Sequence, residues 1–393
     1  METVNVVNEI DELKNQLMYI HNLGFFFGAG TSCAFGLPGI EDLTNNVEKS
    51  LNDEFKTHFN KIKKDSNEIN GCEVNIENIL NHIRQIRDIT QDKKEFSFQN
   101  INGQIAKELD LEICSRIQSI LSDKEKDADF NHLKDFLLWF NSFFNYRPKE
   151  IFTLNYDLLV EKSLDKMEIP YFDGFVGAYE PFFSQENVEN VVNNKGMFND
   201  WLKIWKMHGS LNWIWSDDNS NPKILRVGKF DKSDIGSEEL VIYPSKEKYN
   251  LSRKQPFISF FDRLKSFLTS DETFLIISGY SFSDQHVNEI IFSSLKHNLK
   301  LSIVAFLFSD DKIEDLKEEA KHLLNLRVFG PTKAIIRGRI VQWNYNDDNN
   351  EKDTFLYWDT QNSELILGDF ESLIDFLINI SPKKLNGVLK DEG

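Results

Sequence analysis

Five short apolar runs, at 24–28, 150–154, 202–207, 273–278 and 301–308, have the length of buried strands, and most end in Gly, Ser, Asn or Asp. Runs that are apolar throughout, not at alternate positions, predict strands covered on both faces, as in a parallel sheet. Helical spacing fills the gaps. Ile76, Ile79, Leu80, Ile83 and Ile86 share one face, as do Leu133, Phe136, Leu137, Phe140 and Phe144. Interleaved strands and helices predict an α/β fold with a Rossmann-like, doubly wound parallel sheet. The long helical interval between the first two strands predicts an all-helical lobe at 40–147, inserted beside the sheet and closed by Arg147-Pro148. The sheet core is then 1–39 with 148–310. From 165 to 271 the pattern is less regular, with aromatic-rich loops at 172–183 and turn residues at 217–222. Residues 311–393 read as a small C-terminal α+β appendage suited to assembly. It comprises a helix near 313–326, β-like segments at 334–344 and 355–358 around a polar loop at 346–353, and an amphipathic helix through Phe370, Leu373, Ile374 and Leu377.

A chain of 393 residues has room for two or three structural units or one elaborated domain. Its 40% hydrophobic and 27% charged residues are ordinary for a globular protein. A net charge of -18 argues against a chain-wide nucleic-acid surface, because phosphate binding needs clustered Lys and Arg, so no direct nucleic-acid partner is expected. Cys33, Cys72 and Cys114 form no CxxC pair, so they build neither a zinc ribbon nor a disulfide framework. Residues 1–14 lack a basic segment followed by an apolar one, and no long uninterrupted apolar window exists. A cytoplasmic protein without a membrane span is expected.

An open parallel sheet collects its ligand outside the carboxyl ends of its strands, so the polar cassettes closing the runs carry the candidate chemistry. In Gly28-Ala29-Gly30-Thr31-Ser32, the two glycines let backbone amides approach a pyrophosphate, and the hydroxyls of Thr31 and Ser32 add donors. Position 33 is Cys where GxGxxG has its third Gly, and a tight turn without a ligand is the alternative. Thr153-Leu154-Asn155-Tyr156-Asp157 delivers two polar groups to the second strand end, where a turn residue and a helix cap are the alternatives. Met207-His208-Gly209-Ser210 ends the third strand with an imidazole, the natural proton acceptor near neutral pH. The other seven histidines lack such a setting. Ser278-Gly279-Tyr280-Ser281-Phe282-Ser283-Asp284 follows the fourth strand; Ser283 sits where a hydrolase elbow needs Gly, so a serine nucleophile is not indicated. Ser283 or Asp284 caps the next helix, and Gly279 and Ser281 are placed to hydrogen-bond a ribose.

In their order and spacing these cassettes, with Gly36-Leu37-Pro38, resemble the sirtuin-like NAD-binding fold over roughly residues 20–310, and in particular the bacterial sirtuin-like proteins of antiviral defence. The resemblance implies that Gly28, Ala29, Gly30, Thr31 and Ser32 hold the NAD phosphates, with Leu37 in the same binding set. Asn155 would act at the nicotinamide ribose and position a water, Asp157 would face the carboxamide, and His208 would be the general base. Gly279, Tyr280 and Ser281 would lie on the adenosine side. Three departures stand out. The stretch 211–240 holds no Cys where deacylating sirtuins carry a four-Cys zinc module, so no zinc or other metal is expected. Gly39-Ile40-Glu41 replaces the usual Asp-Phe-Arg, and Tyr156 replaces the usual Ile. Without the zinc module the acyl-lysine groove loses one wall, which makes water the acceptor. The resemblance thus implies an NAD glycohydrolase that yields nicotinamide and ADP-ribose and depletes NAD in abortive infection, as a homo-oligomer and with a HerA-class ATPase as partner. Two other readings stay open: a deacylase or ADP-ribosyltransferase using the same pocket, and a non-catalytic NAD-sensing or scaffold subunit.

Overall fold

Side chains alternate across a strand, so the run Phe25-Phe26-Phe27 feeds two apolar layers at once: Phe25 and Phe27 enter one and Phe26 the other. Ile151 and Phe152, Ile204 and Trp205, and Ile276 and Leu275 divide in the same way. These residues form the middle of a ten-stranded sheet in the computed structural model, which describes residues 2–70, 74–143, 149–192, 200–216, 223–228, 239–242, 255–346 and 353–380. Phe144, Arg147-Pro148, Cys72, the turn residues 217–222 and most of the polar loop at 346–353 lie outside the described residues.

The strand order is Glu2–Asn5, Arg339–Asn344, Lys333–Ile336, Leu326–Phe329, Ser302–Phe306, Thr273–Ser278, Asn22–Phe27, Lys149–Thr153, Leu202–Lys206, Tyr171–Phe172. Within this sheet every pairing is parallel except the two made by Lys333–Ile336. The expected Rossmann-like α/β sheet is therefore present, with the five predicted strands side by side at its centre. From Asn22–Phe27 the chain moves outward through Lys149–Thr153 and Leu202–Lys206, then returns to Thr273–Ser278 on the opposite side and continues to Ser302–Phe306. The order reverses between Asn22–Phe27 and Thr273–Ser278, and the loops leaving these two strands flank the crevice that such a reversal creates.

The tail departs from its expected form. Residues 326–344 extend the central sheet: Leu326–Phe329 adds a parallel strand, and the hairpin of Lys333–Ile336 and Arg339–Asn344 continues it to Glu2–Asn5. The hairpin turn, Arg337-Gly338, has both residues at positive φ, 51° and 75°, the backbone of a tight two-residue connection. The expected helix near 313–326 is two short ones, Asp311–Asp315 and Lys317–Ala320, because the apolar residues from Leu326 are taken by the sheet. In the segment 355–358 only Trp358 lies in a strand, Trp358–Asp359, after the 3-10 turn Thr354–Leu356. Helix Phe370–Asn379, capped by Asp369, sets the Phe370 ring 5.0 Å from Phe27 and 5.9 Å from Phe35, beneath the first cassette.

Helices Ile40–Ser50, Asp53–Asn70, Ile76–Thr90, Gly103–Asp127 and Asn131–Phe143 fill the interval between the first two central strands. The interval is not wholly helical, since Ser97–Phe98 pairs with Ile101–Asn102 in a small hairpin. The Ile76-to-Ile86 face is buried as its spacing predicts. Phe136 and Phe140 meet the Phe25 ring edge-on at 4.8 and 4.9 Å, so the last helix covers the central sheet directly. The stretch read as irregular contains a second, five-stranded sheet in the order Glu239–Ile242, Gly209–Ser216, Lys223–Arg226, Phe182–Phe183, Phe175–Val176, with antiparallel pairings. Its aromatic residues are packing residues: the Phe175 and Trp213 rings lie 5.0 Å apart, and Phe183 meets Phe260 at 5.7 Å. Among the described residues no helix is long and apolar enough to cross a membrane.

Candidate functional site

Strands Asn22–Phe27 and Thr273–Ser278 run side by side, and the glycine cassettes that follow them touch backbone to backbone. Gly28 N–H donates to Ser278 O (3.0 Å) and Gly30 N–H to Gly279 O (2.9 Å). A Cβ on Gly28 would sit 2.4 Å from Gly279 O, and one on Gly279 would sit 2.3 Å from Thr31 N. The glycines are required first for this loop-to-loop approach; two of the amides expected to meet a phosphate are engaged by the facing loop. The hydroxyls are engaged as well. Thr31 Oγ1 donates to Gly28 O at 2.8 Å and Ser32 Oγ to Asp157 Oδ2 at 2.6 Å.

That second bond joins the first cassette to the end of the next strand. Asn155 Nδ2 donates to Gly28 O (3.0 Å), Thr31 Oγ1 (3.0 Å) and Ser32 Oγ (2.8 Å). Three acceptors around one nitrogen fix the orientation of the amide, and no described residue donates to its Oδ1. Asp157, 7% exposed, accepts from Ser32 through one oxygen and from Leu159 N through the other. The N-cap of helix Leu159–Lys166 is Leu158, one residue beyond the expected Asp157, whose carboxylate takes the first helical N–H and ties that helix to the glycine loop. Beneath it, Lys206 donates to Asp157 O and pairs with Glu161 at 3.0 Å, both side chains deeply buried. Burial pushes the Glu161 carboxyl up despite the Lys206 ammonium.

His208 follows strand Leu202–Lys206 and is 3% exposed, with Nε2 2.9 Å from Asp284 Oδ2. Asp284 also caps helix Gln285–His297, its Oδ1 accepting from His286 N and Val287 N at 2.9 and 3.2 Å. The intervening turn is held in an unusual backbone: Gly279 at φ 66° and Phe282 at φ 54°. A bulky residue at positive φ carries strain of about 1–3 kcal/mol, which surrounding contacts must offset. Tyr280 supplies them, its OH donating to Asp284 O (3.1 Å) and Asn288 Oδ1 (2.8 Å). The Tyr280 phenol is pushed up by burial and by the Asp284 carboxylate, so it acts as a donor and not as an anion.

One cavity of ≈ 790 Å³ opens onto these elements, within the range of small-molecule sites. Of the predicted site residues, Gly28, Ala29, Ser32, Leu37, Asn155, Asp157, His208, Gly279, Tyr280 and Ser281 line it. Gly30 and Thr31 are absent from its lining and support it from behind. Sequence reasoning missed the far wall, where Asn75, Glu77 and Asn78 at the start of helix Ile76–Thr90 face the cavity alongside Tyr156. The Tyr156 phenol is pushed up by burial, then by the carboxylates of Glu77 and Asp157. The cap itself was legible, since Asn75 precedes a helical apolar run and Asn78 completes a reciprocal pair with it. Its proximity to the strand ends was not. Asp284, anticipated as a cap, brings a second carboxylate oxygen to His208 that no local pattern announces.

The hydroxyls Ser210 Oγ and Ser278 Oγ, in the third and fourth cassettes, are fully buried outside the cavity lining and have no hydrogen-bond partner among the described residues. Among those residues no group of three or more His, Cys, Asp or Glu could hold a metal ion. No curated protein matches the chain. SIR2-like domains bind NAD and are in general NAD-dependent enzymes. Residues 149–328 match the SIR2-like domain family, a stretch that contains Asn155, Asp157, His208 and the 279–284 turn and begins after the glycine cassette at 28–32.

Proposed function

We propose that this protein is an NAD glycohydrolase: NAD and water give nicotinamide, ADP-ribose and a proton. The observation that carries the reading is convergence. A carboxamide and a carboxylate from the end of strand Lys149–Thr153 and an imidazole from the end of strand Leu202–Lys206 line one cavity with the glycine cassettes, at the reversal point of the sheet. Asn155 is held by three acceptors, which leaves its Oδ1 to orient a water; His208 takes the proton released as that water attacks. The resemblance gives Asp157 the nicotinamide carboxamide, and its oxygens accept from Ser32 and Leu159 in this structure. Nicotinamide departs as a neutral molecule from a cationic ring and needs no acid to protonate it, so the demands on the protein are orientation, charge stabilisation and one base.

The similarity of the four cassettes to sirtuin-like proteins of antiviral defence supports a role in depleting NAD during infection, in a homo-oligomer and with a HerA-class ATPase as partner. The test is NAD turnover by the purified full chain, alone and with the product of the neighbouring gene, reading nicotinamide and ADP-ribose by chromatography. Asn155→Ala and His208→Ala should each abolish release. Unchanged consumption in either variant would overturn the assignment, and consumption that depends on added acyl-peptide would replace hydrolysis with deacylation.

A further inference from the structure

We propose that Asp284 is a positioning residue for His208, holding the imidazole in one tautomer and one orientation while it caps helix Gln285–His297. This rests on the reading of His208 as the base of an NAD-cleaving site. Capping requires one acceptor oxygen, and Ser, Thr or Asn provides it as well as Asp. Asp284 uses Oδ1 for that purpose, accepting from His286 N and Val287 N, and directs Oδ2 to His208 Nε2 at 2.9 Å. Both side chains are buried, 3% and 6% exposed, so solvent does not compete for the contact. The helix N-terminus favours the ionised carboxylate, and an ionised carboxylate can only accept. In the neutral ring the shared proton therefore sits on Nε2, which makes Nδ1 the nitrogen able to take a proton.

The anchoring of Asp284 fits this role. Its carbonyl accepts from Tyr280 OH, Tyr280 OH reaches Asn288 Oδ1, and Asn288 Nδ2 donates to Phe282 O at 2.7 Å. The turn that carries the carboxylate is thus braced at three points, two of them on the helix that Asp284 caps. A base fixed by a carboxylate of this kind loses activity through the wrong tautomer when the carboxylate becomes an amide, even with the geometry intact.

The test uses the full chain labelled with ¹⁵N-histidine, together with Asp284→Asn and Asp284→Ser, both of which keep a helix-capping oxygen. In the wild-type protein the ring nitrogens of His208, identified by loss of their signals in His208→Gln, should show the proton on Nε2. In Asp284→Asn that signature should be lost or divided between tautomers. NAD turnover should fall between about 10- and 10⁴-fold in kcat, with KM changed less than about threefold and the melting transition retained. A wild-type ring protonated on Nδ1, or full kcat in Asp284→Asn, overturns the proposal. If His208→Ala keeps full turnover, the catalytic reading of His208 fails separately. The nitrogen spectrum of the wild-type protein needs only the folded His208→Gln variant for its assignment and no activity, so it decides the tautomer whether or not NAD is turned over.

Discussion

Replacing Gly279 with Ala tests whether the two glycine cassettes form one unit. The new Cβ would lie 2.3 Å from Thr31 N, 2.8 Å from Gly30 C and 2.9 Å from Gly30 Cα, all backbone atoms that cannot rotate away. Gly279 also sits at φ 66°, where a Cβ is disfavoured by roughly 1–2 kcal/mol. Separating the loops adds roughly 1–3 kcal/mol of overpacking, for a total destabilisation of about 2–5 kcal/mol. Gly36→Ala is the matched control: its φ is 84° but no atom lies within 4 Å of the new Cβ, so only the backbone contribution of about 1–2 kcal/mol applies. Urea unfolding of both variants with unchanged slopes isolates the loop-to-loop overlap as their difference. Because Asn155 is bonded to Gly28 and Thr31, a shift of the first cassette also moves the amide, and a displacement near 1 Å lowers turnover roughly 10²-fold. Equal stability of the two variants would refute the reasoning, since the overlap would then have been relieved at no energetic expense.

Three further outcomes follow from the packing. Phe370→Ala opens a void under Phe27 and Phe35 and should destabilise by about 3–5 kcal/mol in a denaturant titration; a loss under about 1 kcal/mol would mean that helix Phe370–Asn379 is dispensable. Arg263→Met takes the paired guanidinium from the fully buried Glu150, leaving it the Trp205 indole N–H and the field of the Lys203 ammonium, and should lose about 3–5 kcal/mol, most of it recovered when Glu150→Gln is added. Lys203 is pushed down to about 8 by burial in strand Leu202–Lys206, against an ordinary value of 10.5. The unfolded chain then binds the proton more tightly, so stability should rise from pH 8 toward 10.5. Lys203→Met should remove that rise in unfolding curves taken at several pH values, and an identical slope in both proteins would contradict it.

The central strands were legible because each is a short run apolar on both faces, and their polar ends announced the cassettes. Buried charges in and just after those strands were not legible as partners: Glu150 is matched by Arg263, more than a hundred residues later, and His208 by Asp284, 76 residues later. The second sheet escaped notice because its strands are short and aromatic, as in Phe175–Val176 and Phe182–Phe183, where spacing cannot separate a loop from a packed edge. The segment 334–344 was legible as β-like, while the turn that divides it into a hairpin, Arg337-Gly338 between apolar segments, was not read from its sequence. How residues 40–50 and 75–81 come to wall the cavity depends on helix packing, and no local pattern encodes it.

The floor beneath Thr31 and Ser32 is finished by Phe370, more than 300 residues further along the chain, while the opposite loop arrives only at Gly279. A nascent chain emerging from the ribosome therefore has no complete crevice until Phe370 has been made. Translation products that stop before it lack the ring under the first glycine cassette.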